Sequence, residues 1–189
     1  MLKNNNKIFI ISGPSGVGKT TIAKGVLKLL PYLKTTTTFT TRTKRLGKKE
    51  DKIIIHVDKK EFHNKIDSDE FIEWAKVHDN LYGTDKKVLK KQLAQNSLLM
   101  NIDVQGALQI KEKLPEITVL IFLKTKTTGE MIRRIKMREK MPKAILDIRL
   151  ESARKELALA KKYDYIVINE KNRIKNTINK VVKIIKQST

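Results

Sequence analysis

The segment GPSGVGKT, residues 13–20, contains the residue types and spacing that point to phosphate chemistry. It satisfies the pattern G-x-x-x-x-G-K-[ST], in which glycines allow the backbone to wrap around an anion. The N–H groups of the loop and the positive end of the following helix would then face the phosphate oxygens. Lys19 can reach the β- and γ-phosphates of a nucleotide, and Thr20 can offer its hydroxyl to Mg²⁺.

The alternative for this segment is an ordinary glycine-containing turn between a strand and a helix. An apolar run precedes the loop and an amphipathic helical pattern follows it, and this context favours the phosphate-binding interpretation. The loop does not identify the reaction, because kinases, GTPases and motor proteins all use it.

A basic segment, TTRTKR at residues 40–45, could bind a second phosphate. Arg42 and Arg45 would converge on one phosphate if the backbone is extended or turned, and arginine suits bidentate phosphate contacts. The alternative is a solvated basic loop with no ligand.

The segment FIEWAKVHDNLYGT, residues 71–84, places Glu73 among apolar neighbours and beside Trp74. A buried carboxylate needs hydrogen-bond donors, and the edge of guanine offers two, its N1–H and its N2 amino group. Adenine has an acceptor at N1, so a buried glutamate would select guanine and disfavour adenine. The alternative is a surface glutamate on an edge strand.

Asp103, in NIDVQGA, follows a predicted buried strand. Ligands of open α/β sheets lie at the carboxyl ends of the strands, so Asp103 could face a magnesium ion, a base or a neighbouring arginine. Capping of the next helix is the alternative role.

Short apolar runs alternate with helical patterns and predict a parallel sheet covered by helices on both faces. The predicted buried strands are residues 8–12, 97–103, 117–123 and 165–168. The predicted helices are residues 19–30, 59–66, 85–95, 105–114, 128–138, 142–162 and 172–187, the last with Ile174, Ile178, Val181, Val182 and Ile185 on one face. Shorter predicted strands at 53–57, 70–77 and 80–83 suggest a small inserted subdomain.

The composition of the chain excludes several classes of protein. With 189 residues, 40% of them hydrophobic, it can bury one core, and no apolar run is long enough to span a membrane. Cysteine is absent, which excludes disulfides and zinc–thiolate sites, and the N-terminus does not resemble a signal peptide; a cytoplasmic location is expected. The net charge of +21 indicates either an anionic partner or a lysine-rich background.

The order of four motifs, GPSGVGKT, TTRxxRxG, FIEWAxVHxNxYGT and IDVQGA, resembles the guanylate kinase family over nearly the whole chain. The resemblance implies transfer of the γ-phosphoryl group of ATP to GMP, and to dGMP, with Mg²⁺ as cofactor. It implies a single P-loop NTPase-like α/β domain over residues 1–189. Its core would comprise residues 1–37, 85–124 and 156–189, with a GMP-binding subdomain at 38–84 and a helical lid at 125–155.

The resemblance also implies roles for individual residues of this sequence. The ATP-binding residues would be Gly13, Pro14, Ser15, Gly16, Val17, Gly18, Lys19, Thr20 and, near the base, Asn169. The GMP-binding residues would be Thr38, Arg42, Arg45, Glu73, Tyr82 and Asp103. The catalytic residues that meet the transferring phosphate would be Lys19, Arg42, Arg134, Arg138 and Arg149, and Thr20 would bind the magnesium ion.

The sequence departs from the family pattern after Arg45, where it reads RLGKKEDKIIIHV. Lys48 stands where the family usually has a glutamate, and Ile54 stands where a tyrosine touches the GMP phosphate. Weaker GMP binding is therefore expected unless Lys48 or Lys49 substitutes for that contact. The lid segment MREKMPK also lacks the usual glycine after its arginine.

Three rival functions remain to be separated from a monomeric or homodimeric guanylate kinase. A non-catalytic interaction module on this fold would typically lose the phosphate loop, which is present here. A nucleic-acid-binding protein would show a recognisable basic motif with exposed aromatics, whereas aromatic residues are only 5% of the chain. A kinase acting on another phosphorylated metabolite would leave the base-reading role of Glu73 unused.

Overall fold

The computed structural model describes residues 5–44, 53–77, 79–138 and 142–189, apart from the side chain of Arg138. The strands in this part of the chain are β1 (Ile8–Ser12), β2 (Thr38–Thr40), β3 (Ile54–His56), β4 (Phe71–Val77), β5 (Asn80–Asp85), β6 (Leu98–Asn101), β7 (Thr118–Lys124) and β8 (Tyr165–Ile168). The helices are α1 (Lys19–Leu29), α2 (Lys59–Asp67), α3 (Lys86–Leu93), α4 (Val104–Lys113), α5 (Thr128–Arg138), α6 (Lys143–Ala158) and α7 (Ile174–Ser188). A short 3₁₀ turn, Leu159–Lys162, follows α6.

The larger sheet has the strand order β6–β1–β7–β8, and every pairing in it is parallel. β1 is central, with Ile10 paired to Met100 on one side and to Leu120 on the other. Parallel strands buried on both faces are expected to be continuously apolar, as IFIIS is. The carboxyl ends of β1, β6 and β7 therefore meet at one edge, where ligands of such sheets bind.

Alternate residues of β1 pack into separate cores on the two faces of this sheet. Phe9 and Ile11 pack with α1 and α7, whereas Ile8 and Ile10 pack with α3 and α4. All four side chains are fully buried. Burial of side chains of this size contributes about 1.5–3 kcal/mol each. The prediction of a parallel sheet covered by helices on both faces is confirmed.

The smaller sheet has the order β3–β2–β5–β4, with β2 parallel to β3 and antiparallel to β5. β2 was not predicted as a separate strand, because TFT is a three-residue strand in a threonine-rich stretch. One face of the sheet packs on α2 through the aromatic cluster Phe39, Phe62 and Phe71. The other face is available for the polar side chains described below.

α5 and α6 form a separate helical pair with its own small core. Met131 and Ile135 of α5 pack with Ala153 of α6 and with partly buried leucines of the same helix. In the part of the chain that the structure describes, no helix is both long enough and apolar enough to cross a membrane.

The predicted helix at residues 85–95 begins one residue too early, because Asp85 is the N-cap of α3. The Asp85 carboxylate accepts from the N–H groups of Lys87 and Val88 at 2.8 and 3.0 Å. Ile174, the first residue of α7, is 38% exposed. Three predicted positions lie outside the described part of the structure: the site residue Arg45, Lys48, where the sequence departs from the family pattern, and the side chain of Arg138.

Candidate functional site

The phosphate loop connects the end of β1 to the start of α1, and its glycines adopt conformations that other residues avoid. Gly13, Gly16 and Gly18 have φ values of 136°, 79° and 98°. A Cβ at Gly13 would overlap the carbonyl oxygen of Leu123 on β7, so the loop packs directly on that strand. The backbone can wrap around an anion at this position because these three residues are glycine.

The two polar side chains that follow Gly18 lie at the mouth of the loop. The ammonium group of Lys19 donates to the carbonyls of Gly13 and, at 3.2 Å, Pro14. The Thr20 hydroxyl oxygen accepts from the side-chain amide of Asn101 at 3.2 Å. Both groups are therefore held across the loop at the carboxyl edge of the sheet.

A cavity of about 440 Å³ opens in front of the loop and brings several predicted site residues together. It is lined by the loop residues 15–20 together with Thr21, Val77, Asp103, Arg134, Arg149, Ser152 and Glu156. Cationic side chains from α1, α5 and α6 thus surround one space, as a triphosphate requires. A second cavity of about 350 Å³ shares Val77, Asp103, Ser152 and Glu156 with the first.

Arg134 and Asn169 hold the phosphate loop in place through hydrogen bonds to the backbone oxygen of Val17. The Arg134 guanidinium donates to Val17 at 3.4 Å and to Asn169 at 3.0 Å through their backbone oxygens, and it pairs with Glu130 at 2.6 Å. The Asn169 side chain donates to the Val17 oxygen at 2.8 Å and accepts from Thr177 at 3.1 Å. Asn169 lies against Gly18, next to the loop, and its predicted contact with the ATP base stays a prediction.

Asp103 combines the capping role with a position in the site. One carboxylate oxygen accepts from the Gly106 N–H at 2.8 Å, so Asp103 is the N-cap of α4. The side chain also lines both cavities. Burial raises the pKa of this carboxyl above its usual value, opposed by the backbone hydrogen bonds and by the charge of Lys19.

Glu73 is buried, at 3% exposure, and is not the surface residue that the alternative interpretation required. The Thr84 hydroxyl donates to one of its oxygens at 2.6 Å. Burial raises the pKa of Glu73 to about 7, against the lowering effect of that hydrogen bond. A Cβ at Gly106 would overlap the carboxylate, so only glycine at this position of α4 leaves room for it.

The strand register places three of the predicted GMP-binding residues, Thr38, Glu73 and Tyr82, on the same face of the smaller sheet. Thr40 is paired with Tyr82, and Glu73 with Thr84, so that Thr38, Tyr82 and Glu73 extend from one face. Within the described residues, the lining of the two cavities includes none of these three. The structure therefore brings the phosphate loop, Asp103, Arg134 and Arg149 together at one cavity, and places Thr38, Glu73 and Tyr82 as a second group on the neighbouring sheet.

Arg42 lies two residues after the end of β2, beyond this polar face. Its N–H donates to the Thr40 hydroxyl at 3.2 Å, and its carbonyl oxygen lies 2.5 Å from Nδ1 of His56. Both contacts hold the backbone that carries the Arg42 guanidinium.

Sequence reasoning missed two residues of α6 that line the cavity, Ser152 and Glu156. The Ser152 hydroxyl donates to Glu156 at 3.2 Å, and burial raises the pKa of Glu156. Their spacing from Arg149, three and seven positions along a helix, places all three on one face. That spacing was a usable signal, since Arg149 was already a predicted site residue.

Comparison with known proteins gives consistent matches over most of the chain. The model of the guanylate kinase family matches residues 5–188. A guanylate kinase of Caldanaerobacter subterraneus is 40% identical over 89% of this chain and 82% of its own length. A guanylate kinase of Fusobacterium nucleatum is 37% identical over 94% and 95%. The crystal structure of guanylate kinase from Anaplasma phagocytophilum superposes with a TM-score of 0.77 at 32% identity, covering 96% of this chain and 85% of that one.

Proposed function

This chain belongs to the guanylate kinase family, and we propose that it transfers the γ-phosphoryl group of ATP to GMP, giving ADP and GDP. The observation that carries this proposal is the Glu73 carboxylate, which is buried beside α4 and bonded to the Thr84 hydroxyl. A buried carboxylate is costly without donors, and the N1–H and N2 amino groups of guanine are a matching pair. Adenine would leave the carboxylate facing an acceptor.

On the donor side, the phosphate loop and Lys19 would hold the ATP phosphates, with Arg134 and Arg149 in the same cavity. The oxygen donors Thr20 and Asp103 line that cavity and fit Mg²⁺, which prefers oxygen ligands, and Thr20 would hold the ion. When bound, Mg²⁺ neutralises charge that develops on the transferred group.

On the acceptor side, Arg42, with Arg45, would hold the GMP phosphate, and Thr38, Tyr82 and Asp103 would complete the GMP site. That phosphate is already anionic at neutral pH, so the transfer needs no general base. The protein contributes alignment, charge neutralisation and exclusion of water. Closure of residues 125–142, carrying Arg134 and Arg138, would keep water from accepting the phosphoryl group.

The test is a coupled assay of ADP release with ATP and, in turn, GMP, dGMP, AMP, CMP and UMP as acceptor. Turnover with GMP and dGMP alone supports the proposal. Turnover with another nucleotide would favour a related kinase, and no turnover with any acceptor would overturn the assignment. Retention on nucleic acid at physiological salt, without turnover, would favour the nucleic-acid alternative.

Four further expectations accompany the proposal. They are the use of dGMP, the division into a core, a GMP-binding subdomain and a lid, the monomeric or homodimeric state, and the cytoplasmic location. Nucleic acid is not expected as a partner despite the charge of +21.

Changing Ile54 to tyrosine is expected to lower the KM for GMP by about tenfold, the effect of one hydrogen bond to a charged group. Ile54 pairs with Thr38 across β2 and β3, so its side chain extends from the polar face of the smaller sheet. Steady-state kinetics with varied GMP would measure the effect. Ile55→Tyr is the matched control, because Ile55 extends from the opposite face and is 40% exposed. An unchanged or raised KM for Ile54→Tyr, or an equal fall for Ile55→Tyr, would contradict the account.

A further inference from the structure

The outer edge of β4 is held by side chains of helix α4. Among the described residues, β4 is an edge strand that pairs only with β5. On its other side, the Gln109 side-chain amide accepts from the Trp74 N–H at 3.2 Å and donates to the Trp74 carbonyl oxygen at 2.9 Å. The Lys113 ammonium donates to the carbonyl oxygen of Ile72 at 2.6 Å. Gln109 therefore satisfies both backbone groups of one residue, as a neighbouring strand would.

These hydrogen bonds lie on both sides of Glu73 along β4. The residue before it, Ile72, is hydrogen-bonded to Lys113, and the residue after it, Trp74, is hydrogen-bonded to Gln109. Its carboxylate lies against Gly106 of the same helix. Gly106, Gln109 and Lys113 are three and four residues apart, so they form one face of α4 along β4.

We propose that Gln109 is a positioning residue for the acceptor base, which fixes the Glu73 carboxylate through the backbone of Trp74. This inference rests on the proposed function, in which the Glu73 carboxylate accepts hydrogen bonds from guanine. Glu73 is held against α4, the helix whose N-cap is Asp103. A change at Gln109 should therefore move the Glu73 carboxylate and leave the phosphate loop intact. The effect belongs to GMP binding, and not to ATP binding.

The test uses Gln109→Met, which keeps side-chain length and removes both hydrogen bonds. The expected result is a rise of about five- to tenfold in the KM and Kd for GMP, with the KM for ATP within about twofold of wild type. Trp74 is the chain's one tryptophan and is 40% exposed, so its fluorescence gives the GMP Kd without turnover. Glu112→Ala, at an exposed position of α4, is the control and should leave both constants unchanged.

The same substitution in a Glu73→Gln background separates positioning from a structural role. If Gln109 acts through Glu73, Gln109→Met should change GMP binding by less than about twofold there. Equal changes in both backgrounds, a parallel rise in the KM for ATP, or an unchanged GMP Kd would overturn the inference. If wild-type protein neither turns over GMP nor binds it, the proposed function fails as well. If the wild type uses GMP and Gln109→Met has the same KM and Kd for GMP, this inference alone fails.

Discussion

Replacing Lys19 with alanine is expected to abolish detectable phosphoryl transfer from ATP to GMP, a loss of at least about a thousandfold in kcat/KM. The Lys19 ammonium is held at the loop mouth by the carbonyls of Gly13 and Pro14. A positive charge placed there before the reaction stabilises charge on the transferring group without reorganisation. The coupled ADP-release assay measures the loss.

Lys28→Ala is the matched control for Lys19→Ala. Lys28 is exposed in the last turn of the same helix, so the control removes an equal charge from α1 at a distance from the loop. It should retain wild-type kinetics, and both variants should unfold within a few degrees of the parent. Lys19→Ala protein that keeps more than about a tenth of the wild-type kcat/KM would contradict the assigned role.

Glu73→Gln is expected to lower kcat/KM for GMP by about 10- to 150-fold, the equivalent of one lost hydrogen bond to a charged group. A carboxylate can accept from both guanine donors, whereas an amide offers one acceptor and turns a donor toward the other. The KM for ATP should stay unchanged. Glu61→Gln, an identical change on the exposed side of α2, is the control, and an unchanged kcat/KM for GMP in Glu73→Gln would refute base reading by this residue.

The raised pKa of Glu73, about 7, adds a pH dependence to this prediction. Guanine binds the ionised form, so GMP affinity should rise between pH 6 and 8 in the wild type. The GMP phosphate also titrates, with a pKa of about 6. The pH profile of Glu73→Gln contains the titration of the phosphate without that of Glu73, so it is the reference for the wild-type profile. A wild-type pH profile identical to that of Glu73→Gln would contradict the assignment.

Stability should change with pH in the opposite sense. The ordinary pKa of this carboxyl is 4.5, so between pH 4.5 and 7 the folded chain holds the proton more tightly than the unfolded chain. The contribution of Glu73 to the free energy of unfolding therefore falls as pH rises through that window. Glu73→Gln should raise the melting temperature relative to wild type more at pH 8 than at pH 5.

The core elements were predictable because strong local signals agree with the tertiary structure. IFIIS is apolar at every position, and the glycine pattern after it matches three residues with positive φ. The polar face of the smaller sheet was harder to predict, since it depends on register. Glu73 and Tyr82 share a face through the local hairpin of β4 and β5, but Thr38 joins them only through the long-range pairing of the three-residue strand β2 with β5, which no local pattern encodes.

The environment of Glu73 was also only partly predictable. Its apolar neighbours suggested burial, but the hydrogen bond from Thr84 depends on the hairpin register, and the space at Gly106 comes from a distant helix. The same applies to Gln109, whose spacing on α4 gives no sign of two hydrogen bonds to Trp74. Side chains that bond to the backbone of another element leave no periodic signal in the sequence.

The bracing of Val17 by Asn169 has a consequence for the order in which the protein acquires its parts during synthesis. The phosphate loop is translated early, but the amide that holds its backbone is 152 residues further along the chain, and that amide is itself held by Thr177 of the last helix. A nascent chain therefore carries the nucleotide-binding motif long before it carries the support for that motif. The loop acquires its final support only when β8 and α7 have left the ribosome and docked.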